Sequence, residues 1–223
     1  MEQSKRELHK TVITNFLAFL NKSSDQFVLK GGTSLMMCYG LNRFSEDIDL
    51  DANHKFQFFK IVEQFCQRQI FAYRIAKDTT TTKRVFIHYD KDQYKPLKVE
   101  LSLRTPVDFN DVKKINGILV YDINTLADLK IEAYSQRDAL RDLFDVVFIC
   151  KNYWKELNLQ VQKHIIRAFS IKDLEYVDYL VNTQQDPLID NESLANDFLD
   201  IFNELGLLSD YSKPSIEVTK ESK

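Results

Sequence analysis

The sequence predicts an α+β fold: a mixed β-sheet flanked by helices, followed by a helical C-terminal region. Three observations predict it. Short stretches with strand periodicity, among them "EDIDLDA", "RVFIHYD" and "LKVELSL", all lie before about residue 122. Helical stretches are interleaved with these strands rather than grouped apart from them. From "INTLADLK" onward the apolar residues recur at helical spacing through most of the chain. No internal repeat or Gly/Ser linker interrupts the chain, so the division expected is 1–122 for the α/β core and 123–223 for the helical region.

In chain order, Leu8, Val12, Ile13, Phe16, Leu17 and Leu20 mark an amphipathic helix over residues 5–21. "QFVLKGG" is a short apolar run stopped by glycines, which reads as a strand. "TSLMMCYGL" carries helix formers and a threonine, Thr33, able to cap. "EDIDLDA" alternates polar and apolar residues, so it is a strand. "KFQFFKIVEQFCQRQI" is helical, while "RVFIHYD", "LKVELSL" and "NGILVYD" are strands. "TTTTK" fits either a strand or a loop, and "YDKDQY" reads as a hairpin turn. Helical signals then run over residues 125–150, 158–182 and 191–206, with Asp122 or Asn124 able to cap the first. The tail "SDYSKPSIEVTKESK" reads as loosely ordered.

Composition narrows the function classes. A hydrophobic fraction of 44% with 28% charged residues is that of a globular protein, and no apolar run is long enough to span a bilayer. The N-terminal "MEQSKRELHK" is polar with no apolar signal core after it, which predicts a cytoplasmic protein with no membrane partner. Cys38, Cys66 and Cys150 are far apart and odd in number, so buried free thiols are expected rather than a disulfide framework or a zinc site. The net charge of −3 excludes a chain that binds polyanions by bulk charge. Locally, residues 77–114 carry nine Lys/Arg against six Asp/Glu, which suits either an acceptor-binding patch or a solvated surface.

The chemistry concentrates in "KGGTSLMMCYGLNRFSEDIDLDA", residues 30–52. On a strand, Asp47, Asp49 and Asp51 share one face and Ile48 and Leu50 the other. Same-face positions are roughly 6.6 Å apart, close enough for carboxylates to lean onto one or two Mg²⁺ ions. Three other readings compete. An EF-hand counted from Asp47 needs Gly at the sixth position and Glu at the twelfth, where the chain has Ala52 and Phe58, so it fails. A solvated acidic edge strand remains open from spacing alone. A helix starting near Ser45 conflicts with the strict alternation of Ile48 and Leu50.

Gly31 and Gly32 stand between a strand and a helix, where bare backbone N–H groups can receive phosphate. Neither a Walker GxxxxGK nor a GxGxxG is present. A third acid comes from "LKVELSL", where Glu100 faces opposite to Leu97, Val99 and Leu101. The alternative there is a surface glutamate paired with Lys98 or a cross-strand partner. Asp90 and Asp92 are rivals placed in the expected turn. If 125–150 is one helix, Lys130, Tyr134, Arg137 and Arg141 form a stripe with Asp145 beside it, suited to a triphosphate. Arg141 and Asp145 are also four apart and could simply pair. His54, His88 and His164 have no partner pattern.

Taken together, Lys30, Gly31, Gly32, Thr33, Leu35, Tyr39, Gly40, Arg43, Phe44, Ser45, Glu46, Asp47, Ile48 and Asp49 resemble the first motif of the AbiEii/AbiGii toxin family, within the DNA-polymerase-β-like nucleotidyltransferase superfamily. Glu100 resembles the family's further acid flanked by hydrophobics, and Lys130, Arg137, Arg141, Asp142 and Asp145 resemble its later lysine and R-x-x-x-R-D-x-x-D segment. The resemblance covers roughly residues 27–150.

It implies a polymerase-β-like core whose nucleotide pocket the helical region completes. It implies Asp47, Asp49 and Glu100 as ligands of Mg²⁺ or Mn²⁺, and Gly31, Gly32 and Thr33 as the phosphate cradle. Lys130 would contact the phosphates, with Arg137, Asp142 and Asp145 shaping the same pocket. The activity expected is transfer of a nucleoside monophosphate from an NTP to an acceptor, RNA (tRNA among them) or protein, by a bacterial toxin held in check by a cognate antitoxin. The rival classes are a nucleotide- or nucleic-acid-binding module without turnover and a metal-dependent nuclease.

Overall fold

A computed structural model describes residues 2–54, 57–90 and 95–208. Residues 91–94 of the expected turn "YDKDQY", Asp92 among them, and the tail from residue 209 lie outside the described residues. The chain divides into two units, Met1–Leu129 and Lys130–Lys223.

The first unit is built on a seven-stranded mixed sheet in the order β3-β4-β5-β2-β1-β7-β6. Its strands are β1 (Val28–Lys30), β2 (Ile48–Asp51), β3 (Ala72–Asp78), β4 (Thr82–His88), β5 (Leu97–Ser102), β6 (Val112–Ile115) and β7 (Ile118–Tyr121). The helices α1 (Glu2–Ser23), α2 (Gly31–Cys38) and α3 (Phe58–Gln69) complete it, with the start of α4 (Ile123–Gln136). β2 runs antiparallel to β1 and parallel to β5, and β7 is parallel to β1. Alternation puts Ile48, Leu50, Val85, Ile87, Leu97, Val99 and Leu101 into the core, all with at most 1% exposure. Of the apolar stripe expected on α1, Val12, Ile13, Phe16, Leu17 and Leu20 are buried while Leu8 is 45% exposed, and Phe16 meets Phe65 of α3 edge to face.

Two strands were not legible in the sequence. β6 is four residues long, and β3 is an edge strand exposed along nearly its whole length, so neither shows an apolar alternation. "TTTTK" divides between a turn and the start of β4 at Thr82. At the start of α4, Asp122 Oδ1 accepts from Thr125 N–H at 2.9 Å, which makes Asp122 the cap.

The second unit is helical: the end of α4, then α5 (Leu140–Tyr153), α6 (Leu159–Ile171), α7 (Leu174–Thr183) and α8 (Asn191–Glu204). Leu143, Ile165, Phe169, Leu180, Phe198 and Phe202 form its core. The continuous helix expected over 125–150 is broken at residues 137–139, and this dissolves the expected stripe. Tyr134 is fully buried, with its hydroxyl donating to the Lys172 carbonyl at 3.2 Å. No Pro or Gly causes the break. Side chains satisfy the loose ends instead: Lys172 Nζ donates to the carbonyls of Tyr134 and Arg137, and Gln184 both accepts from Leu140 N–H and donates to the Asp138 carbonyl.

The three cysteines are free, Cys66 and Cys150 buried and Cys38 half-buried. Burial pushes their thiols up, to about 11 for Cys38 and Cys66 and about 12 for Cys150, so at neutral pH none is a thiolate. Among the described residues no helix is long and apolar enough to cross a membrane.

Candidate active site

The two glycines are fixed by what lies against them. Gly31 has φ +78°, a conformation that L side chains rarely adopt, and a Cβ there would stand 3.1 Å from Asp49 Oδ2. A Cβ on Gly32 would meet Arg43 Nη2 and Ser45 Oγ, each at 2.9 Å. The chain therefore leaves β1 and enters α2 with its backbone pressed against the acidic strand. Thr33 does not cap this helix. It is buried in the first turn, where its hydroxyl binds the Asp47 carbonyl and Ser45 Oγ, the latter at 2.9 Å. Lys30 occupies the cap position, and its side chain makes no capping hydrogen bond to the helix. Thr33 thus ties the residues before β2 to α2, a role that spacing alone did not reveal.

Register brings the predicted acids together. Asp49 of β2 lies directly beside Glu100 of β5, and Lys30 of β1 lies beside Asp49 on its other side. Paired residues of neighbouring strands present side chains to the same face, so Asp49 and Glu100 share one. Asp47 is joined to them through Lys98, whose Nζ is 2.7 Å from Asp47 Oδ2 and 4.0 Å from Asp49 Oδ1. Burial pushes the Asp49 carboxyl up. The Lys98 ammonium pulls it down, and the charges of Asp47 and Glu100 push it up again. For Lys98, burial disfavours the charge, but the hydrogen bond to Asp47 and the carboxylates around it prevail, and its pKa is raised.

The third aspartate of the strand has a different role. Asp51 is only 4% exposed, pairs with Lys30 Nζ at 2.6 Å and accepts from the Tyr121 hydroxyl at 3.1 Å. It belongs to the scaffold that carries the other two. Glu100 meets the cross-strand partner that the sequence allowed for, Arg84, with Nε 2.5 Å from Oε2. No pattern in the sequence singled out His9. Its ring is 1% exposed, one nitrogen 2.7 Å from the Glu46 carbonyl and the other bonded to the Tyr89 hydroxyl, so α1 buttresses the segment before Asp47.

Among the described residues, no three His, Cys, Asp or Glu side chains converge on one point as they stand. The pair Asp47 and Asp49 nonetheless suits a hard divalent cation. Both are carboxylates, they already share the ammonium of Lys98, and Mg²⁺ is commonly held by one or two carboxylates with water and substrate phosphate filling the remainder.

In the second unit the later motif residues form pairs of their own. Lys130 Nζ is 2.6 Å from Asp145 Oδ2, with Asp145 fully buried. Arg137 clamps Asp142 with two hydrogen bonds, from Nε and, at 2.9 Å, from Nη2. Arg141 Nε is 2.5 Å from Asp186 Oδ2.

A family model described as nucleotidyl transferase AbiEii toxin, type IV TA system, matches residues 16–215. An uncharacterised protein of Aquifex aeolicus is 30% identical over 165 residues, which are 69% of this chain and 75% of that protein. A crystallised Helicobacter pylori protein, described as a candidate nucleotidyltransferase, superposes with a TM-score of 0.77 at 28% identity, covering 95% of this chain and 99% of that one. MenT4, a nucleotidyltransferase toxin of Mycobacterium tuberculosis, superposes with a TM-score of 0.53 at 15% identity over 90% of this chain and 84% of its own, a likeness of fold.

Proposed function

Since this chain belongs to the AbiEii nucleotidyltransferase toxin family, we propose that it moves a nucleoside monophosphate from an NTP to an acceptor hydroxyl on RNA or protein. It does so in the bacterial cytoplasm, as a toxin neutralised by a cognate antitoxin. The observation that carries the reading is the register of Asp49 beside Glu100, with Gly31 packed against Asp49.

Asp47 and Asp49 are the residues that would hold Mg²⁺ or Mn²⁺, with Glu100 available once Arg84 lets go of it. When bound, the ion supplies charge neutralisation at the phosphates. The N–H groups of Gly32 and Thr33 at the start of α2 donate to phosphate oxygens, since the first turn of a helix leaves them without backbone partners. Glu100 receives the proton of the acceptor hydroxyl. The acceptor oxygen bonds to the α-phosphorus, the bond from that phosphorus to the bridging oxygen breaks, and pyrophosphate leaves. Positioning and charge neutralisation supply most of the acceleration in such transfers.

The test is incubation of the protein with Mg²⁺, each α-labelled NTP and a mixture of total RNA and protein. Label fixed to either macromolecule supports transfer. RNA shortened without label would make the protein a nuclease. Nucleotide binding without product would make it a module without turnover.

A further inference from the structure

The sheet face that carries the acids does not end at Glu100. Reading outward by register, one row runs Lys30, Asp49, Glu100, Arg84, Lys77 across β1, β2, β5, β4 and β3. The row beside it runs Lys98, Phe86, Arg74 across β5, β4 and β3, and Lys98 reaches Asp47. Both rows pass from carboxylates to cations on the way to the sheet edge. Strands are about 4.8 Å apart, so the distance from β2 to β3 is roughly 14 Å.

The inner cations, Lys98 and Arg84, are paired with acids. The outer two, Arg74 and Lys77, have no ion-pair partner among the described residues. Phe86, half-exposed, lies across from Arg74, whose guanidinium is 5.0 Å from its ring centroid. Of the nine Lys/Arg in residues 77–114, Lys77, Arg84 and Lys98 lie on these two rows, and Arg74 just before that stretch joins them, although the chain as a whole carries −3.

We propose that this strip, Arg74, Lys77, Phe86 and Arg84, is the landing surface for a single-stranded nucleic acid whose hydroxyl-bearing end reaches the carboxylates. Cations without an acidic partner among the described residues, beside a half-exposed aromatic ring, match a chain of phosphates bearing stackable bases. An acidic peptide would use the cations and leave Phe86 without a task. The proposal rests on the transfer reading above and names its acceptor class. It also gives Arg84 a second partner: a strand phosphate that takes the guanidinium frees Glu100 to receive the acceptor proton.

The experiment is fluorescence anisotropy of labelled single-stranded RNA and DNA oligonucleotides of one sequence, without NTP, over a salt series. Wild type is compared with the Arg74→Thr/Lys77→Thr double variant and with Phe86→Leu, substitutions that keep strand-compatible residues. The double variant should bind at least tenfold more weakly, and the slope of log affinity against log salt should fall by about 1.4, two phosphate contacts at about 0.7 each. Phe86→Leu should weaken binding about five- to hundredfold with the slope unchanged.

Unchanged affinity and slope in the double variant would overturn the proposal. So would polyglutamate competing as well as the oligonucleotides, with Phe86→Leu silent. RNA bound much more tightly than DNA would assign the ribose hydroxyls a part in the same surface. The two readings fail separately. Strand binding that the variants weaken, without any transfer, would remove the transferase and keep the surface. Transfer to a protein by an enzyme that binds no strand would remove the surface and keep the transferase.

Discussion

The candidate-site acids of the first unit and the motif acids of the second hold their charges in opposite ways. In the first, Asp47, Asp49 and Glu100 keep side-chain exposures of 37%, 38% and 23%, and their partners Lys98 and Arg84 keep 25% and 37%. In the second, Asp142 and Asp145 are 3% and 0% exposed, locked to Arg137 and Lys130. Half-exposed pairs are worth about 0–1 kcal/mol and can exchange partners at little cost. A buried acid that loses its cation costs about 3–5 kcal/mol. The first arrangement suits a site that must trade its internal cations for a substrate's, and the second suits a fixed scaffold.

The largest test of this contrast is Asp49→Asn. Nucleotidyl transfer should fall at least about 10³-fold, in line with removal of a charge that stabilises the transition state. Thermal stability should hold or rise, because burial and like charges already disfavour the ionised carboxyl. An active variant, or an unfolded one, would show that Asp49 belongs with the scaffold. Next comes Lys130→Ala, expected to lower unfolding free energy in urea by about 3–5 kcal/mol by taking the ammonium away from the buried Asp145 carboxylate. A loss under 1 kcal/mol would erase the distinction between the units.

A glycine pair separates strain from site geometry. Gly31→Ala and Gly40→Ala both place alanine at positive φ, +78° and +77°, and each should cost about 1–2 kcal/mol. Only Gly31 has Asp49 against it, while Gly40 has open space, so Gly31→Ala alone should also depress transfer. Equal activity losses would mean that the close approach to Asp49 is incidental. Arg84→Gln should change stability by less than about 1 kcal/mol, since the pair with Glu100 is half-exposed; a larger loss would make that pair structural.

The smallest effect is in pH dependence. Burial holds His9 below its ordinary pKa of 6.5, with the Glu46 carbonyl and the charges of Glu46 and Asp47 opposing that shift and the Lys95 charge adding to it. The unfolded chain therefore binds the proton more readily. Stability from this group is complete above pH 6.5 and is lost as pH falls through 6.5 toward the folded value. Asp138, in the second unit, is held below its ordinary 3.8 by hydrogen bonds from Tyr176 and Lys172, so its contribution persists until pH falls below that value. Denaturation midpoints from pH 8 to 5 should decline in wild type and flatten in His9→Gln. Parallel slopes would remove His9 from the account.

Much of the site could be read before folding, and the reasons are local. Asp47 and Asp49 stand out because alternation with Ile48 and Leu50 fixes their face, and Glu100 because Val99 and Leu101 fix its own. Lys98 as the internal counter-ion was not legible, because it depends on which strand neighbours β2. Asp51 carries the same signal as Asp49, yet Lys30 and Tyr121 enclose it. The break after Gln136 left no local mark either, because Lys172 and Gln184, far along the chain, satisfy the groups it exposes.

The sequence by itself determined which strand residues face the core, where the chain changes from mixed α/β to helical, and which acids and glycines are candidates for the chemistry. Those follow from side-chain period and from the conformational range of single residues, both properties of a few neighbouring positions. Only the tertiary structure decided the strand order β5-β2-β1, the ammonium between two aspartates, the enclosure of Asp51 and the row of cations reaching the sheet edge. Each of these depends on residues tens of positions apart becoming hydrogen-bonded neighbours, and no local pattern encodes that choice.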